Sequence, residues 1–214
     1  MNLFNRLKTD CLIEWEKYVK HRFVESLGNG SLKKESFQNY LRQDYLFLIH
    51  YARAFSLAGA KSTTVFDLRH AEAGLSAIIN TEINLHVSYC KQWDISKKNL
   101  ETFDESFECL AYSRFILDKG FHGNLLDLYV ALSPCMSGYA EIGMALETAK
   151  KGNPFESWIG MYASDAFQLA ALNDRKYIDN LASRETISDP RYLELKSTFK
   201  YACKLEANFW SSFL

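Results

Sequence analysis

The sequence predicts an all-α fold, a single-domain helical bundle that spans residues 1–214 around one core. Apolar residues recur with helical spacing from one end of the chain to the other. Only 3 Pro and 10 Gly interrupt this pattern, which favours long helices over many short strands. No Gly/Ser-rich linker, internal repeat or low-complexity tract divides the chain. Long helices joined by short turns are typical of a bundle.

Turn residues and helix caps set the predicted boundaries. The first helix covers residues 3–26 and ends at Gly28-Asn29-Gly30, a C-terminal signal. The second and third cover residues 33–58 and 65–92, and segment 93–98 ends the third. The later predictions are helices over residues 103–119 and 125–150 (with Pro134 inside the second of these), one from Asn153-Pro154, a short one over 175–182, and a last one from Asp189-Pro190 to near the C-terminus.

Composition and charge exclude several classes of function. A formal net charge of −1 gives no reason to expect a nucleic-acid partner or an anionic membrane. No run approaches the apolar length of a membrane span, and the N-terminus lacks the apolar core of a signal peptide. Five cysteines without regular spacing suit reduced thiols better than a disulfide framework. We therefore expect a soluble cytoplasmic protein.

The segment from Ser133 to Glu141 holds the first candidate catalytic residue. Because proline is tolerated at the first helical position and serine caps helices well, a helix can start or restart at Pro134. Cys135 would then lie in the first turn, where the helix dipole lowers the pKa of a thiol. Tyr139, four residues on, would share its face. The alternative is a small buried side chain beside a proline kink.

Charged residues also fall on apolar stripes of the predicted helices. Asp44 lies among the apolar residues of the second helix, and Glu206 among those of the last. Glu82 and His86 share the stripe of the third helix and could satisfy one another at i, i+4. Each could be a structural ion pair, because a carboxylate is rarely buried without a partner. Together they favour a shared polar cavity.

Aromatic residues accompany these acids. Each alone is more often a core residue, but together they describe a flat, aromatic pocket: Phe47, Tyr51, Tyr112 and Tyr162. A flat heteroaromatic ring stacks well between such side chains. A carboxylate such as Asp44 can accept from an exocyclic amine, and a thiolate can attack an electron-poor ring carbon. A second carboxylate in apolar surroundings can donate a proton to a leaving group. This set of groups suits chemistry on an aminopyrimidine.

Blocks of sequence along nearly the whole chain carry a family resemblance. They are residues 15–24 (WEKYVKHRFV), 37–53 (FQNYLRQDYLFLIHYAR), 82–86 (EINLH), Pro134-Cys135 with 139–143 (YAEIG), 158–163 (WIGMYA), and Glu206 with Phe209-Trp210. In their order and spacing the chain resembles the TenA family, the thiaminase II type of thiamin-salvage enzymes with a heme-oxygenase-like fold.

The resemblance implies hydrolysis at the 5-methylene of a 4-amino-2-methylpyrimidine, with ammonia or the thiazole of thiamin as the leaving group. It implies that Cys135 adds to the ring carbon next to C5, that Glu206 protonates the leaving group, and that Asp44 holds the ring nitrogen and amino group. Further implied contacts to the ring or its polar surroundings are Phe47, Tyr51, Tyr112, Tyr139 and Tyr162, with Glu82 and His86 in support. The resemblance implies no cofactor or metal, and a homotetramer.

The chain departs from the family pattern in two places. Met136-Ser137 stands where family members often carry an aromatic pair, which leaves the leaving-group preference open, and residues 61–73 match less clearly. Whether thiamin or its aminomethyl pyrimidine fragment is the physiological substrate also stays open.

Three rival functions are compatible with the same helical fold. The fold hosts di-iron oxidases, and Glu82, His86 and Glu141 could suggest a metal site. However, no histidine follows His122, so the C-terminal half offers no imidazole ligand. A heme protein is a second possibility, supported by analogy of fold alone. The third is a non-catalytic helical protein that binds a pyrimidine or a protein partner.

Overall fold

A computed structural model describes residues 2–91 and 96–214, and within them the secondary structure is helical, with no strand. The predicted all-α class is confirmed. The helices are α1 (Leu3–Asp10), α2 (Leu12–Val19), α3 (Arg22–Gly28), α4 (Lys34–Lys61), α5 (Val65–Ala77), α6 (Ile83–Lys91), α7 (Lys97–Glu101), α8 (Phe107–His122), α9 (Leu125–Leu146), α10 (Glu156–Ala163), α11 (Asp165–Ala182) and α12 (Asp189–Ser211). A π-helical turn, Ile78–Glu82, joins α5 to α6, and a 3₁₀ turn, Glu147–Ala149, follows α9.

The described residues group into two compact units. The first contains residues 2–33 and 129–212 with Leu214, and the second contains residues 34–128 with Phe213. In the first unit α12 packs on α1, α2 and α3, and α1 also packs on α11. Trp15 of α2 stacks on Phe199 of α12 with ring centroids 5.8 Å apart and an interplanar angle of 11°. Buried aromatic side chains of this kind supply much of the apolar area that holds helices together.

The second unit is organised by α4, which packs against α5, α6, α7 and α8. Its buried stripe runs from Phe37 through Tyr40 and Phe47 to Ala58, as the helical periodicity predicts. The predicted helix over residues 65–92 is instead two α-helices separated by the π-helical turn, whose hydrogen bonds reach five residues along the chain instead of four. The predicted end of that helix at residue 92 and the segment 93–95 lie outside the described residues.

The prediction of one helix over residues 3–26 is wrong, because the backbone leaves the helical conformation twice. Cys11 leaves the helical region with φ −118° and ψ 28°, and α2 begins after it. His21 adopts an extended conformation, and its Nδ1 accepts from the backbone N–H of Phe23 at 3.2 Å, which caps α3. A side chain that satisfies an N–H at a helix start replaces the bond that a continuous helix would supply.

Three other boundaries also differ from the prediction. The short helix over residues 175–182 is the end of α11, which begins at Asp165 because the hydroxyl of Ser164 caps it by accepting from the N–H of Phe167 at 3.3 Å. The helix expected from residue 103 begins at Phe107, after the N-cap Ser106. The helix expected from Asn153-Pro154 begins at Glu156, since Asn153 uses its side chain to accept from the N–H of Phe155 at 2.8 Å.

Within residues 2–91 and 96–214, no helix combines the length and the apolar character that crossing a bilayer needs.

Candidate active site

Cys135 lies in the interior of a long helix. Helix α9 begins after Asn124, whose side chain and that of Asp127 each accept a backbone N–H of the other, at 3.1 and 2.9 Å. The helix runs through Pro134 without a new start, as the helix predicted over residues 125–150 has it, so the possible restart at Pro134 does not occur. Cys135 is therefore not in a first helical turn, and the helix dipole does not activate its thiol.

Ser133 compensates for part of the defect that Pro134 introduces. Proline has no N–H, so the carbonyl of Val130, four residues earlier, loses its usual helical partner. The hydroxyl of Ser133 donates to this carbonyl oxygen at 3.1 Å, and Ser133 is fully buried. The hydrogen bond satisfies the acceptor that proline leaves behind, which explains how the helix continues to Leu146.

Cys135 differs from the other cysteines in its accessibility. All five cysteines lie in the described part of the chain, and none of them forms a disulfide there. Cys135 is half-buried, while the other four are buried. Burial raises the pKa of Cys11 and of Cys90 to about 11. It also raises the pKa values of Cys109 and Cys203. Among these thiols Cys135 is the one that a substrate can reach most easily.

The two residues that follow Cys135 on α9, Met136 and Ser137, have side chains in different surroundings. Successive residues of an α-helix are turned by about 100°, so Met136 and Ser137 point away from Cys135 by roughly 100° and 200°. Met136 packs with Ala140, Ala171 and the partly buried Phe167. Ser137 is one of the residues around a cavity that Phe4, Trp15 and Arg175 also line. What Met136 and Ser137 mean for the leaving-group preference stays open.

Tyr139 and Tyr162, both predicted site residues, form one aromatic cluster in the first unit. Their ring centroids are 4.8 Å apart. Trp158 and Trp210 also flank Tyr139, at 5.9 and 5.4 Å. Glu206 lies one turn before Trp210 on α12 and is 1 % exposed, so its position on an apolar stripe does correspond to burial. Sequence reasoning did not assign the two tryptophans to the site, although both belong to blocks that carry the family resemblance.

Asp44, in the second unit, makes two short contacts through a single oxygen. Its Oδ2 accepts from the hydroxyl of Tyr40 at 2.9 Å and lies 2.6 Å from Nε2 of His86. Both Asp44 and His86 are buried, at 4 % and 0 % exposure. The two residues are 42 positions apart in the sequence, and α4 and α6 bring them together.

The hydrogen bond that the other ring nitrogen of His86 makes determines where the protons of the Asp44–His86 pair lie. Nδ1 lies 2.8 Å from the backbone carbonyl oxygen of Glu82. Because a carbonyl oxygen only accepts, Nδ1 must carry a proton. Nε2 then faces a carboxylate oxygen, and the contact is attractive only if a proton lies between them. The pair therefore holds one proton between Asp44 and His86.

The electrostatics agree with this protonation. Burial disfavours the charged imidazolium, but the hydrogen bond to Asp44 and its negative charge outweigh burial, so the pKa of His86 is raised above its ordinary value. Sequence reasoning left open whether Glu82 and His86 satisfy one another through their side chains. In the structure His86 uses the backbone carbonyl of Glu82, and its charged partner is Asp44. The sequence signal for this pair was that Asp44 and His86, like Tyr40, lie on apolar helical stripes.

Phe47, Tyr51 and Tyr112 form a flat aromatic surface in the second unit. Phe47 stacks on Tyr112 with centroids 4.7 Å apart and an angle of 24°. Phe47 and Tyr51 are 5.5 Å apart at 30°. All three are buried, and Phe47 follows Asp44 on α4 by three residues. A planar ring that contacts Asp44 would find an aromatic face close by.

The structure thus brings the predicted residues together in two groups. Asp44, His86 and the backbone of Glu82 belong with the aromatic surface in one unit, and Tyr139 and Tyr162 form a cluster in the other. That Cys135 and Glu206 share one cavity with Asp44 stays a prediction. Within the described residues, no three His, Cys, Asp or Glu side chains gather in the way that a metal ion needs.

The chain is similar to a known protein family and to several known proteins. The model of the TENA/THI-4/PQQC family matches residues 12–214. The crystal structure of a TenA family transcription regulator from Silicibacter sp. TM1040 is similar with a TM-score of 0.95 and 37% identity, covering 99% of this chain and 96% of that one. The aminopyrimidine aminohydrolase of Halalkalibacterium halodurans is 36% identical across 92% of this chain and 88% of its own length. An uncharacterized protein of Haemophilus influenzae is 37% identical across 92% of this chain and 91% of its own. The chain belongs to the TENA/THI-4/PQQC family.

Proposed function

We propose that this protein is a hydrolase of thiamin salvage, an aminopyrimidine aminohydrolase of the thiaminase II type. It converts 4-amino-5-aminomethyl-2-methylpyrimidine and water to the 5-hydroxymethyl pyrimidine and ammonia. The relative from Halalkalibacterium halodurans bears the name of this activity and matches 92% of the chain.

The observation that carries the proposal is the arrangement of Asp44. Its Oδ2 is occupied by Tyr40 and His86, whereas its Oδ1 receives no hydrogen bond from the residues that the structure describes. Oδ1 is therefore able to accept a hydrogen bond from a ligand. A 4-aminopyrimidine presents an amino N–H and a ring nitrogen on one edge. An N–H on this edge, from the amino group or from the ring nitrogen in its protonated form, can donate to Oδ1 of the carboxylate.

The negative charge of Asp44 has a chemical use in this proposal, because it favours a protonated ring nitrogen on the bound pyrimidine. A pyrimidine whose ring nitrogen is protonated or hydrogen-bonded is a better electron acceptor at the carbon next to C5. The thiolate of Cys135 forms a bond to this carbon, and the ring electrons then expel the amine from the 5-methylene. Glu206 donates the proton with which the amine leaves as ammonia.

Water completes the reaction. The loss of ammonia leaves an exocyclic methylene on the ring. Glu206, now a carboxylate, removes a proton from a water molecule while the oxygen of this water bonds to the methylene carbon. The bond between the Cys135 sulfur and the ring then breaks, which restores the aromatic ring and the thiolate. Phe47 and Tyr139 would lie against the ring, with Tyr51, Tyr112 and Tyr162 around its polar edge.

The deciding experiment replaces the nucleophile. Cys135→Ser should abolish ammonia release from the aminomethyl pyrimidine while the protein still binds the hydroxymethyl product, as measured by calorimetry. Cys90→Ala, which removes a buried thiol elsewhere, is the control and should retain turnover. Near-normal turnover by Cys135→Ser would overturn the assignment of the nucleophile. If the unchanged protein binds the pyrimidine but never releases ammonia, the chain is a pyrimidine-binding protein.

The substrate preference and the assembly need separate measurements. The amine and thiamin share the ring that Asp44 would bind and differ only in the leaving group, so the ratio of their kcat/KM values on one preparation identifies the better substrate. From the family resemblance we also propose that the protein works in the cytoplasm and assembles as a homotetramer. Sedimentation velocity would give the mass of the particle, and a monomer would contradict the proposed assembly.

A further inference from the structure

Helix α5 lies at the surface of the second unit and packs on α4 with one side only. That side includes the buried residues Asp67 and Ala71, and Ala71 lies against Gly59 of α4. The opposite side is solvent-exposed but carries large apolar side chains, each between 46 % and 63 % exposed: Val65, Phe66 and Leu68, with Ile79 of the π-helical turn beyond them. The exposed side of a surface helix is normally polar, and clustered exposed apolar side chains mark an interaction surface.

The order of residues on this side of α5 follows from helical geometry. Successive residues are turned by about 100°, so Val65, Arg69 and Glu72 fall within roughly 60° of one another and form the middle line. Leu68 lies on one flank of this line, and Phe66 lies on the other flank. Ala73 lies on the same flank as Phe66 and is also exposed. We call these six residues the outer face of α5.

The two charged residues in the middle of the outer face are available to a partner. Arg69 and Glu72 are both exposed, and neither makes a hydrogen bond or an ion pair with the residues that the structure describes. Their charges are opposite and lie one helical turn apart. A surface with this pattern presents as many positive as negative charges, so it does not select a partner of one sign.

We propose that the outer face of α5 binds the same face of a second copy of this chain, with the two helices antiparallel across a two-fold axis. In such an isologous contact each residue lies opposite the one that is equally far on the other side of the axis. With the axis beside the midpoint of residues 70 and 71, Arg69 faces Glu72 of the second copy. Its own Glu72 faces the other arginine, so the contact contains two ion pairs.

The apolar flanks match in the same register. Phe66 lies beside Ala73 of the second copy, so a large side chain meets a small one on that flank. On the other flank Leu68 lies beside Leu75 of the second copy, which is half-buried. Both flanks occur twice by symmetry. Steric and charge complementarity therefore agree on a single arrangement, and this argues for a second copy as the partner.

The size of the contact indicates its strength. Helix α5 has 13 residues and is about 20 Å long. A pair of such helices buries less than the roughly 800 Å² per partner of a typical stable interface, so we expect this contact alone to have a Kd in the micromolar range. The proposal goes beyond the proposed homotetramer, for which it names one surface, and it does not depend on the proposed reaction.

Sedimentation velocity of the full chain at about 1–100 µM tests the contact. The unchanged protein should sediment as a dimer or as a larger even-numbered particle. Leu68→Glu places one charge from each copy in the apolar part of the contact and should weaken association about hundredfold or more. A dimer then becomes a monomer, and a tetramer becomes a dimer. Lys151→Glu, a charge reversal at an exposed turn, is the control and should leave the mass unchanged.

Charge swaps test the register. Arg69→Glu sets two carboxylates opposite each other in each ion pair and should weaken association about tenfold or more. Glu72→Arg should have the same effect through two guanidinium groups. The double variant Arg69→Glu/Glu72→Arg again pairs opposite charges across the axis and should regain the mass of the unchanged protein. Circular dichroism melting checks that each variant is folded.

Three results would overturn the proposal. One is a monomer at every concentration of the unchanged protein. Another is an unchanged mass in folded Leu68→Glu and Arg69→Glu protein; if that mass is a tetramer, the outer face of α5 is excluded while the proposed homotetramer stands. The last is a double charge-swap variant that stays as dissociated as the single variants, because position 69 would then not face position 72 of a second copy.

Discussion

Replacing His86 by leucine should destabilise the protein by about 3–5 kcal/mol near neutral pH, the usual cost of breaking a buried ion pair from one side. The imidazole is 0 % and Asp44 4 % exposed, and Nε2 and Oδ2 are 2.6 Å apart. After the change Asp44 retains one donor, the hydroxyl of Tyr40 at 2.9 Å. The carboxylate must then stay charged in apolar surroundings or take up a proton, and both cost free energy.

Removing both partners should cost less than removing one. In the double variant Asp44→Leu/His86→Leu neither member of the pair is left as an unpaired charge, and buried ion pairs can often be replaced by apolar residues at little cost. The acceptor of the Tyr40 hydroxyl is lost, which limits the recovery by about 1–3 kcal/mol. We expect the double variant to be more stable than His86→Leu by about 1–2 kcal/mol. This difference identifies a pair interaction and not merely the loss of a packed ring.

The stability that the Asp44–His86 pair contributes should fall as the pH rises. The pKa of His86 is raised in the folded protein, so its contribution to stability is complete below the ordinary value near 6.5 and is lost as pH rises through the raised pKa. Asp44 and Glu82 both favour the charged form, and the pKa of nearby Cys109 is raised by burial so that its thiol stays neutral. The stability advantage of the unchanged protein over the double variant should therefore shrink as the pH rises above about 6.5.

Urea unfolding followed by circular dichroism measures these free energies at each pH. A stability difference that stays constant as the pH rises above about 6.5 would refute a shared proton between Asp44 and His86. So would a double variant that is no more stable than His86→Leu. Tyr40→Phe is a useful control, since it removes one hydrogen bond from Asp44 but leaves the proton on the pair.

Three further predictions address catalysis, packing and reactivity. Glu206→Gln should lower turnover by a factor on the order of 10²–10⁴, and a change below about threefold would leave Glu206 a structural acid only. Gly143→Ala should destabilise the protein by about 1–3 kcal/mol, because a Cβ would lie 2.4 Å from the carbonyl carbon of Tyr162. Gly59→Ala, where the nearest atom is 4.0 Å away, should be neutral or stabilising in the same unfolding assay. Iodoacetamide at about pH 8 should label Cys135 first, since a thiol with a pKa of about 11 is roughly one-thousandth ionised there. Peptide mass spectrometry that finds Cys11 or Cys90 labelled equally fast would contradict this ranking.

The all-α class and the buried faces of the helices could be predicted from the sequence because both follow from local periodicity. The stripe of α4 and the burial of Asp44 and Glu206 follow directly from the spacing of apolar residues. Helix boundaries were less predictable where one side chain decides them. His21 and Ser164 each begin a helix by accepting a single N–H, and such a bond leaves no trace in the hydrophobic pattern.

The partner of Asp44 could not be predicted, because the choice is made by tertiary structure. Glu82 is four residues from His86 and was the obvious local candidate, yet Asp44 is 42 positions away. Local spacing places Glu82 within reach, but the packing of α6 on α4 decides which carboxylate faces the imidazole. A pair that forms between distant segments becomes visible only when both helices are placed.

Cys135 shows that a Ser-Pro pair does not by itself mark the start of a helix. The pair is compatible both with a helix start and with the interior of a helix whose freed carbonyl finds another donor. What decides between them is the chain before the pair. Asn124 and Asp127 already cap each other several residues earlier, and the apolar run between them and Ser133 is helical and buried. The start of α9 therefore lies too far from the thiol for the helix dipole to act on it. In the proposed reaction the charge of Asp44 favours a protonated ring nitrogen, which makes the ring more electrophilic toward the thiolate.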